Sequence, residues 1–261
     1  IFFSARVFSQ IDLVSIELQK VYRQTDSVFV SVLDHIRTNT AGAADLQLLN
    51  TRYGSHIEES EADMYITLAT RRDTVDSINE KKLAELAGEP ITFEGSIEGD
   101  FPESSLPTSQ ELVLKPGAQI IFIKNDFDRR WVNGTIGVIA GIDEEEETIY
   151  VITDDGKECD VKRESWRNIR YRYNEKTKEI EEEVLGSFTQ YPIRLAWAIT
   201  VHKSQGLTFS RVVIDFTGGV FAGGQAYVAL SRCTSLDGIQ LKKPINRADI
   251  FVRPEIVNFA G

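Results

Sequence analysis

The sequence has few cysteines and no long apolar segment. Cys159 and Cys233 are the two cysteines among 261 residues, and neither has a histidine at ligand spacing. This excludes a disulfide framework and gives no support to a zinc site, so no metal-binding residues are expected. No apolar run approaches the roughly 20 residues that a membrane helix needs, and the opening segment 1–4 lacks the basic residues of a signal peptide. We therefore expect an intracellular protein, of the cytoplasm, nucleoid or nucleus, without a membrane segment.

Basic residues are also scarce. The sequence has 29 Lys and Arg against 40 Asp and Glu, which gives a formal net charge of −11, whereas nucleic-acid binding depends on cations that neutralise phosphates. The acidic residues are segregated, however, because residues 143–183 carry 15 acids and 8 bases while residues 191–261 carry 4 acids and 8 bases. The acidic runs 143–147 and 181–183 are most simply solvated turns and faces. The net charge predicts weak binding of the isolated chain to single strands.

The first 90 residues twice repeat the order strand, polar loop, helix. Alternating apolar residues predict a strand at 14–18, and the helix that follows has Thr25 or Asp26 available as its N-cap. Residues 65–69 predict a second strand, which leads through a polar loop into a helix that stops at Gly88. The repetition predicts an α/β sheet whose functional loops lie at the carboxyl ends of its strands.

Short β-rich runs replace this pattern between residues 117 and 190. They are separated by Asn133-Gly134 and Asp155-Gly156, which predict hairpins. Several short strands at this spacing predict a small β-barrel of the SH3-like kind, inserted within the α/β domain. We therefore divide the chain into 1–116, 117–190 and 191–261, where the first and third parts form one α/β domain. Segment 94–111, rich in Ser, Pro and acids, is interpreted as an exposed connector.

The third part contains the polar motif Thr200-Val-His-Lys-Ser-Gln-Gly206 between the strand candidates 193–199 and 211–216. Hydroxyl, ammonium and backbone N–H groups at the end of a buried strand are typical contacts to phosphate and sugar, and Gly206 allows a close approach. A polar turn with a satisfied histidine is the plain alternative.

Arg232 closes a predicted short helix over 224–232, so its guanidinium is expected at a defined place near the sheet edge. A planar, permanently charged fork suits a γ-phosphate. Such an arginine finger accelerates phosphoryl transfer by roughly a thousandfold or more, because it neutralises charge in the transition state. A helix C-cap or a surface ion pair is the alternative for an arginine at this place.

Two long motifs carry a family resemblance. The segments "AWAITVHKSQGLTF" and "GQAYVALSRC" resemble motifs V and VI of superfamily 1B helicases, specifically of the RecD-like and PIF-type branch that translocates 5′ to 3′ on single-stranded DNA. The segment "LQKVYRQTDSVFVSVLDHIR" resembles motif IV, and "KPGAQIIFIKND" with "WVNGTIGVI" resembles the start of the inserted SH3-like domain. The resemblance spans nearly the whole chain and implies a RecA-like parallel sheet of the P-loop-NTPase type, the second motor domain of such a helicase.

The resemblance also implies roles for individual residues toward ATP. Arg23 matches the motif IV arginine and Arg232 the motif VI arginine, both of which reach the γ-phosphate and are the expected catalytic residues. Gln24 directly follows Arg23, and Gln205 and Gly206 end the polar segment of motif V, where they couple the DNA contact to the nucleotide cleft; all three are expected to bind the nucleotide.

The resemblance assigns the contacts with DNA mainly to residues of motif V. Thr200, His202 and Lys203 match positions that contact the DNA strand, and Ser204 is included among the DNA-binding residues and in the coupling to the nucleotide cleft. Thr70 lies on a loop that resembles a further DNA-contacting element. Trp131, on a loop of the insertion, is expected either to stack on a base or to belong to the core.

Two motifs of an ATPase are not found. The sequence contains no Gly-x-x-x-x-Gly-Lys-Ser/Thr phosphate loop, and its one Asp-Glu pair after an apolar run, Asp143-Glu144, belongs to the acidic run interpreted as a solvated turn, so no pair is expected to hold Mg²⁺. In the family both belong to the first RecA-like domain, which would precede Ile1. The resemblance therefore implies a monomeric, ATP- and Mg²⁺-dependent DNA helicase as the full-length protein. The fragment alone is expected to bind no cofactor tightly and to be inactive without its N-terminal RecA-like partner.

Two other functions stay open at this point. The chain is alternatively a non-catalytic module that binds a nucleic acid or a protein through its inserted domain, with the α/β part as scaffold. It is alternatively a helicase fold repurposed within a nuclease or repair complex. The residues that precede Ile1 in the natural protein would distinguish the non-catalytic module from a helicase. If they contain no phosphate loop, the module is favoured.

Overall fold

The computed structural model describes residues 10–11, 14, 16, 22–55, 64–253 and 255–256. The predicted strand at 14–18 lies largely outside the described residues. The helices of the described part are α1 (Ser27–Arg37), α2 (Ala43–Asn50), α3 (Arg72–Glu85) and α4 (Gln225–Leu230). The strands there are β1 (Ile66–Ala69), β2 (Ile91–Glu94), β3 (Ser96–Gly99), β4 (Glu111–Leu114), β5 (Gln119–Phe122), β6 (Ile136–Asp143), β7 (Thr148–Thr153), β8 (Glu158–Val161), β9 (Glu164–Asn174), β10 (Glu179–Gln190), β11 (Ile193–Leu195), β12 (Ala198–Thr200), β13 (Val212–Asp215) and β14 (Ile239–Leu241).

A parallel sheet forms the centre of the molecule. Its strand order is β12-β1-β13-β14, and every neighbouring pair is parallel. All residues of β1 and β13 are buried, as expected for strands covered on both faces. The α/β class predicted from the sequence is thus confirmed. The order brings the carboxyl ends of β1 and β12 together, with Ala69 beside Thr200.

Helix α1 packs on this sheet as its sequence predicts. The Asp26 carboxylate accepts hydrogen bonds from the backbone N–H groups of Val28 and Phe29, which satisfies two donors that the first turn leaves free. The apolar face of α1 is buried and contacts α4. No helix in the described ranges is long and apolar enough to cross a membrane.

Helix α3 follows β1 directly and supports the edge strand β12. The Asn79 Nδ2 donates to the Ala198 carbonyl at 2.9 Å, and its Oδ1 accepts from the Ala198 N–H at 2.9 Å. The side-chain amide therefore takes the place of a further strand at this edge. Helix α2 was not predicted, because its eight residues have no sustained apolar face.

The inserted part is built of antiparallel strands. Its main sheet has the order β11-β5-β6-β7-β8, and its core includes Ile120, Phe122, Ile149 and Val161. No pairing of β8 with β11 occurs in the part of the chain that the structure describes, so the predicted small barrel is an open five-stranded sheet there. Strands β9 and β10 form a long hairpin beside it, and β3 pairs with the base of β10.

Three sequence predictions need correction. The connector at 94–111 contains β3, which pairs with β10 across Gly99 and Gly186, and a Cβ on Gly99 would lie 2.4 Å from the Leu185 carbonyl oxygen. The single strand predicted at 193–199 is two strands, because β11 pairs with β5 while β12 joins the parallel sheet. The helix predicted to reach Arg232 ends at Leu230. The division at residues 116 and 190 stays a prediction.

Candidate nucleotide and nucleic-acid site

Three predicted residues meet at the end of α4. The Arg23 Nη1 and the Gln24 Nε2 both donate to the Ser231 carbonyl at 3.0 Å, and Gln24 also donates to the Cys233 carbonyl at 2.8 Å. Arg232 follows in the chain and donates from Nη2 to the Ser231 hydroxyl at 2.8 Å. We call Arg23, Gln24 and Arg232 the arginine cluster. It joins residues that are more than 200 positions apart in the sequence.

Arg232 is 9% exposed, and its guanidinium is held largely by main-chain carbonyls. Its Nε donates to Val228 at 3.0 Å and its Nη1 to Leu207 at 3.3 Å, so the helix-capping contact that is the plain alternative is present. Each terminal nitrogen still carries a second N–H. Burial, and then the neighbouring Arg23, lower the pKa of Arg232. Neither arginine has an ion pair to a carboxylate within the described ranges, so two cations lie together without a counter-charge.

The end of motif V contacts this cluster. Gln205 and Gly206 are exposed, and Gly206 has a φ of 86°, a conformation that favours glycine. The next two residues then supply acceptors, because the Leu207 carbonyl binds Arg232 and the Thr208 hydroxyl accepts from the Arg23 Nε at 2.8 Å. The structure therefore places Gln205 and Gly206 next to the residues that hold both arginines.

The start of motif V lies in a groove, which we call the strand-end groove. It has a volume of about 570 Å³ and opens where β1 and β12 end. Its lining residues are Thr70, Arg71, Arg72, Asp73, Thr200, His202 and Phe221. Three of the predicted DNA-binding residues, Thr70, Thr200 and His202, are thus brought together by the parallel sheet.

Thr70, which lines this groove, has a buried hydroxyl without a partner among the described residues. The residue is 3% exposed. A buried hydroxyl without a partner is costly to the fold. A ligand oxygen in the groove would supply the missing acceptor.

A second group of cations lies beside the groove. The Lys203 side chain is open to solvent, yet partial burial and the neighbouring Arg194 and Arg72 lower its pKa. Burial and Arg72 lower the pKa of Arg194 as well, and the Arg194 Nε is buried without a partner among the described residues. The balancing acid is Asp76, 3.5 Å from Arg72. This charge excess attracts an anion.

Besides Lys203, two predicted DNA-binding residues do not line the groove. Ser204 is fully buried, and its hydroxyl donates to the Val201 carbonyl at 2.7 Å, which stabilises the turn. Trp131 is 5% exposed and stacks on Phe122 with ring centroids 4.3 Å apart. Its ring is in the core of the insertion, which is the alternative that the sequence left open, and it is not placed to stack on a base.

Sequence reasoning missed four residues around the groove. Arg71 and Arg72 directly follow Thr70, and this pair of basic residues at a strand end was an available signal. Arg194 lies within a predicted strand, and Phe221 lies in a glycine-rich segment that carries no recognised motif. No group of three or more His, Cys, Asp or Glu side chains suited to a metal ion occurs in the stretches that the structure covers.

Among known proteins, Pif1 helicases are similar to this chain, although no family model matches it. The chain is 32% identical over 242 residues to the ATP-dependent DNA helicase Pif1 of Bdellovibrio bacteriovorus, covering 91% of this chain and 52% of that protein. It is 36% identical over 234 residues to the human ATP-dependent DNA helicase PIF1, covering 87% of this chain and 35% of that protein. The chain thus spans between about a third and a half of these relatives.

Crystal structures of the Pif1 helicase of a Bacteroides species have the same fold. The structure with ADP-AlF4 superimposes with a TM-score of 0.86 at 36% identity and covers 99% of this chain and 59% of that one. A structure of the same helicase with ADP-AlF3 and single-stranded DNA gives a TM-score of 0.73 at the same identity and covers the same shares of the two chains. Nearly the whole chain is therefore related to one part of these proteins. Together with motifs V and VI at the groove and the arginine cluster, this assigns the chain to the Pif1-type branch of superfamily 1B helicases, of which it represents the C-terminal portion.

Proposed function

We propose that this chain supplies the second motor domain of an ATP-dependent 5′ to 3′ DNA helicase. In this proposal the strand-end groove binds single-stranded DNA and the arginine cluster binds the γ-phosphate of ATP. The Pif1 relatives are named ATP-dependent DNA helicases, and the Bacteroides helicase has been crystallised with nucleotide analogues and single-stranded DNA. These findings support the proposal at the level of the family.

One observation of this chain carries the proposal. Motif V begins in the groove with Thr200 and His202 and, within a few residues, reaches the acceptors that hold Arg23 and Arg232. One short segment thus contacts both the proposed DNA site and the proposed nucleotide site. A non-catalytic module would need no such connection.

The chemistry of the arginine cluster suits a phosphate. Arg23 and Arg232 are two cations without a carboxylate partner in the described ranges. Each terminal nitrogen of the Arg232 guanidinium has a second N–H available for a ligand. A γ-phosphate would offset their repulsion and accept those donors. Gln24 has both of its observed donor contacts on main-chain carbonyls, so its proposed role is to hold Ser231 and Arg23 in place.

The remaining parts of an ATP site belong to another domain in this proposal. A phosphate loop and the acids that hold Mg²⁺ are absent from the 261 residues. We therefore propose that a first RecA-like domain provides them and that the nucleotide binds between the two domains. Mg²⁺ would be held on that side, where it neutralises phosphate charge. The chain alone is expected to show no ATP turnover.

The groove suits a nucleic-acid backbone. Thr70 offers an unsatisfied hydroxyl, Thr200 and His202 line the same wall, and Lys203 lies in a cluster with excess positive charge. Hydroxyls and cations of this kind position a strand through its phosphates without reading its sequence. We expect little sequence preference.

ATP binding and DNA binding would influence each other through motif V. A nucleotide changes the affinity for DNA only if it favours a conformation that binds the strand differently. A shift of Leu207 or Thr208 with the arginines would move Thr200 and His202, which lie in the same segment. Alternate tightening and release of the strand would then give directed movement.

Replacement of Arg232 by alanine tests the nucleotide site. In the longer protein that also carries the phosphate-loop domain, Arg232→Ala is expected to lower kcat for ATP by roughly a thousandfold or more, while the Kd for single-stranded DNA stays within about twofold. Turnover is measured with saturating DNA, and Kd by fluorescence anisotropy. Arg170→Ala is the matched control, because Arg170 is exposed on the β9–β10 hairpin. Survival of turnover in Arg232→Ala, with the control unchanged, would refute the assignment.

A further inference from the structure

Phe221 is an exposed aromatic residue in the strand-end groove. Its side chain is 60% exposed, although the groove around it is lined by Thr70 and Thr200, which are buried or half-buried. The ring centroid lies 6.4 Å from that of His202, and the two rings are inclined by 33°. The hydroxyls and cations of the groove can bind phosphates, whereas the exposed ring of Phe221 provides an aromatic face on which a base can stack.

The backbone around Phe221 is fixed from two sides. The Arg71 Nε donates to the Gly218 carbonyl at 2.9 Å, and Gly218 allows this approach, because a Cβ there would lie 2.9 Å from the Arg71 Cδ. The Phe221 N–H donates to the Gln225 Oε1 at 3.2 Å, and Gln225 is buried at the start of α4. The ring is therefore presented by a constrained segment, which lowers the entropic cost of binding.

The groove also has the chemical partners that a nucleotide unit requires. Thr70 provides a donor without an acceptor, and Lys203 lies in a group of cations that needs an anion. A phosphate near these groups would leave the attached base free to reach Phe221 on the same surface. Aromatic side chains contribute about 1 to 3 kcal/mol for each base that they stack on, without regard to its identity.

We propose that Phe221 stacks on a base of the bound single strand, so that the groove holds DNA through one base face in addition to its phosphates. This inference rests on the proposed function, because it requires that the groove binds single-stranded DNA. It adds an uncharged contact, which salt does not weaken, to a site of otherwise polar and charged contacts.

The test compares an intact oligonucleotide with an abasic one of the same length and charge. Binding of each fluorescein-labelled strand is measured by anisotropy at low salt in the longer protein that also carries the phosphate-loop domain, for the unaltered chain, Phe221→Ala, Phe221→Leu and Phe221→Trp. Tyr53→Ala is the control, because Tyr53 is also a half-exposed aromatic residue but lies beside β14, at the opposite edge of the sheet.

We expect Phe221→Ala to weaken binding of the intact strand by about 5- to 150-fold, which corresponds to the stacking contribution, and to leave binding of the abasic strand unchanged. Phe221→Leu should resemble Phe221→Ala, and Phe221→Trp should retain affinity. Equal losses on both strands, or no loss on the intact strand, would overturn the inference while the proposed function stands. Failure of the unaltered chain to bind either strand would instead overturn the proposed function, and this inference with it.

Discussion

Single side chains in the groove and in the insertion show how far a residue's type predicts its role. Thr70, Ser204 and Trp131 were all proposed to touch DNA, and all three are buried. Only the Thr70 hydroxyl lacks a partner among the described residues, and Thr70 lines the groove, whereas the Ser204 hydroxyl and the Trp131 indole N–H donate to main-chain carbonyls. A satisfied polar group gains little from a ligand, so the unsatisfied one is the better candidate for function.

Removal of the Thr70 hydroxyl should affect binding and not folding. Thr70→Val keeps the shape of the side chain, and because the hydroxyl has no partner in the described part of the free chain, the free energy of unfolding should be unchanged or higher. The affinity for single-stranded DNA should fall by about tenfold through loss of a hydrogen bond to a charged oxygen. Thr70→Ser should retain affinity. A clear loss of stability with unaltered Kd would mean that the hydroxyl has a structural acceptor.

At the scale of elements, the turn between β5 and β6 is held by an ion pair between the buried Asp126 and the partly exposed Arg130. The Asp126 carboxylate accepts from the Arg130 Nη2 at 2.8 Å and from its Nε at 3.0 Å, and the guanidinium lies 4.6 Å from the centroid of the Trp131 ring. Arg130 also donates to Asp160, at the end of β8. The turn is thus tied to the sheet, which explains why Trp131 enters the core.

This ion pair makes the insertion sensitive to acid. The hydrogen bond from Arg130 holds the pKa of Asp126 below its usual range, so its contribution to stability is present above the pKa of the unfolded chain and is lost as pH falls through the lower, folded pKa. We expect Asp126→Asn to lower the free energy of unfolding by about 2 kcal/mol at pH 7, and by less near pH 3.

Urea unfolding followed by tryptophan fluorescence at both pH values measures this difference. Asp128→Asn is the control, because Asp128 is exposed in the same turn. A loss of stability that is equal at the two pH values would show that the charge of Asp126 does not contribute.

The elements that the sequence predicted are those with a local signal. Helix α1 has an N-cap and an apolar face at helical spacing, and β1 is a continuous apolar run. Strand β3 could not be predicted, because Ser96–Gly99 has one apolar residue and becomes a strand only by pairing with β10, almost 90 residues later. The split of 193–199 into β11 and β12 likewise depends on partners in two different sheets.

At the scale of the whole molecule, the acidic net charge and the proposed DNA binding are compatible because the charges are separated. The acidic runs lie in the insertion and its hairpin, whereas the groove has Arg71, Arg72, Arg194 and Lys203 within or beside it. The motif resemblance predicted the two sites. It did not predict that Leu207 and Thr208 connect them, because the resemblance assigns no contact to either residue and their bonds to Arg232 and Arg23 are visible only in the folded chain. Long-range convergence of this kind is not visible in local patterns.

Because few cations lie at the groove, the affinity for single-stranded DNA should depend only weakly on salt concentration. With about three phosphates neutralised, the logarithm of the association constant for single-stranded DNA should fall with the logarithm of the salt concentration with a slope of roughly −2. Anisotropy titrations between about 50 and 200 mM salt give this slope. Lys203→Ala should make it less steep by somewhat under one unit, and Lys176→Ala, on the tip of the hairpin, should not change it. A slope far steeper than this would place the strand on another surface.

The join between the insertion and the parallel sheet also bears on how such a protein could have arisen. The Gln119 Nε2, in β5, donates to the Tyr65 carbonyl at 2.9 Å and to the Ala196 carbonyl at 2.7 Å, and β11 continues into β12 after two residues. Deletion of 117–190 would therefore remove hydrogen bonds on which the strand leading to motif V depends. The inserted sheet is therefore a structural part of the motor domain and not a separable unit. Change in length or sequence should be tolerated in the β9–β10 hairpin, but not at the contacts of β5 with the parallel sheet.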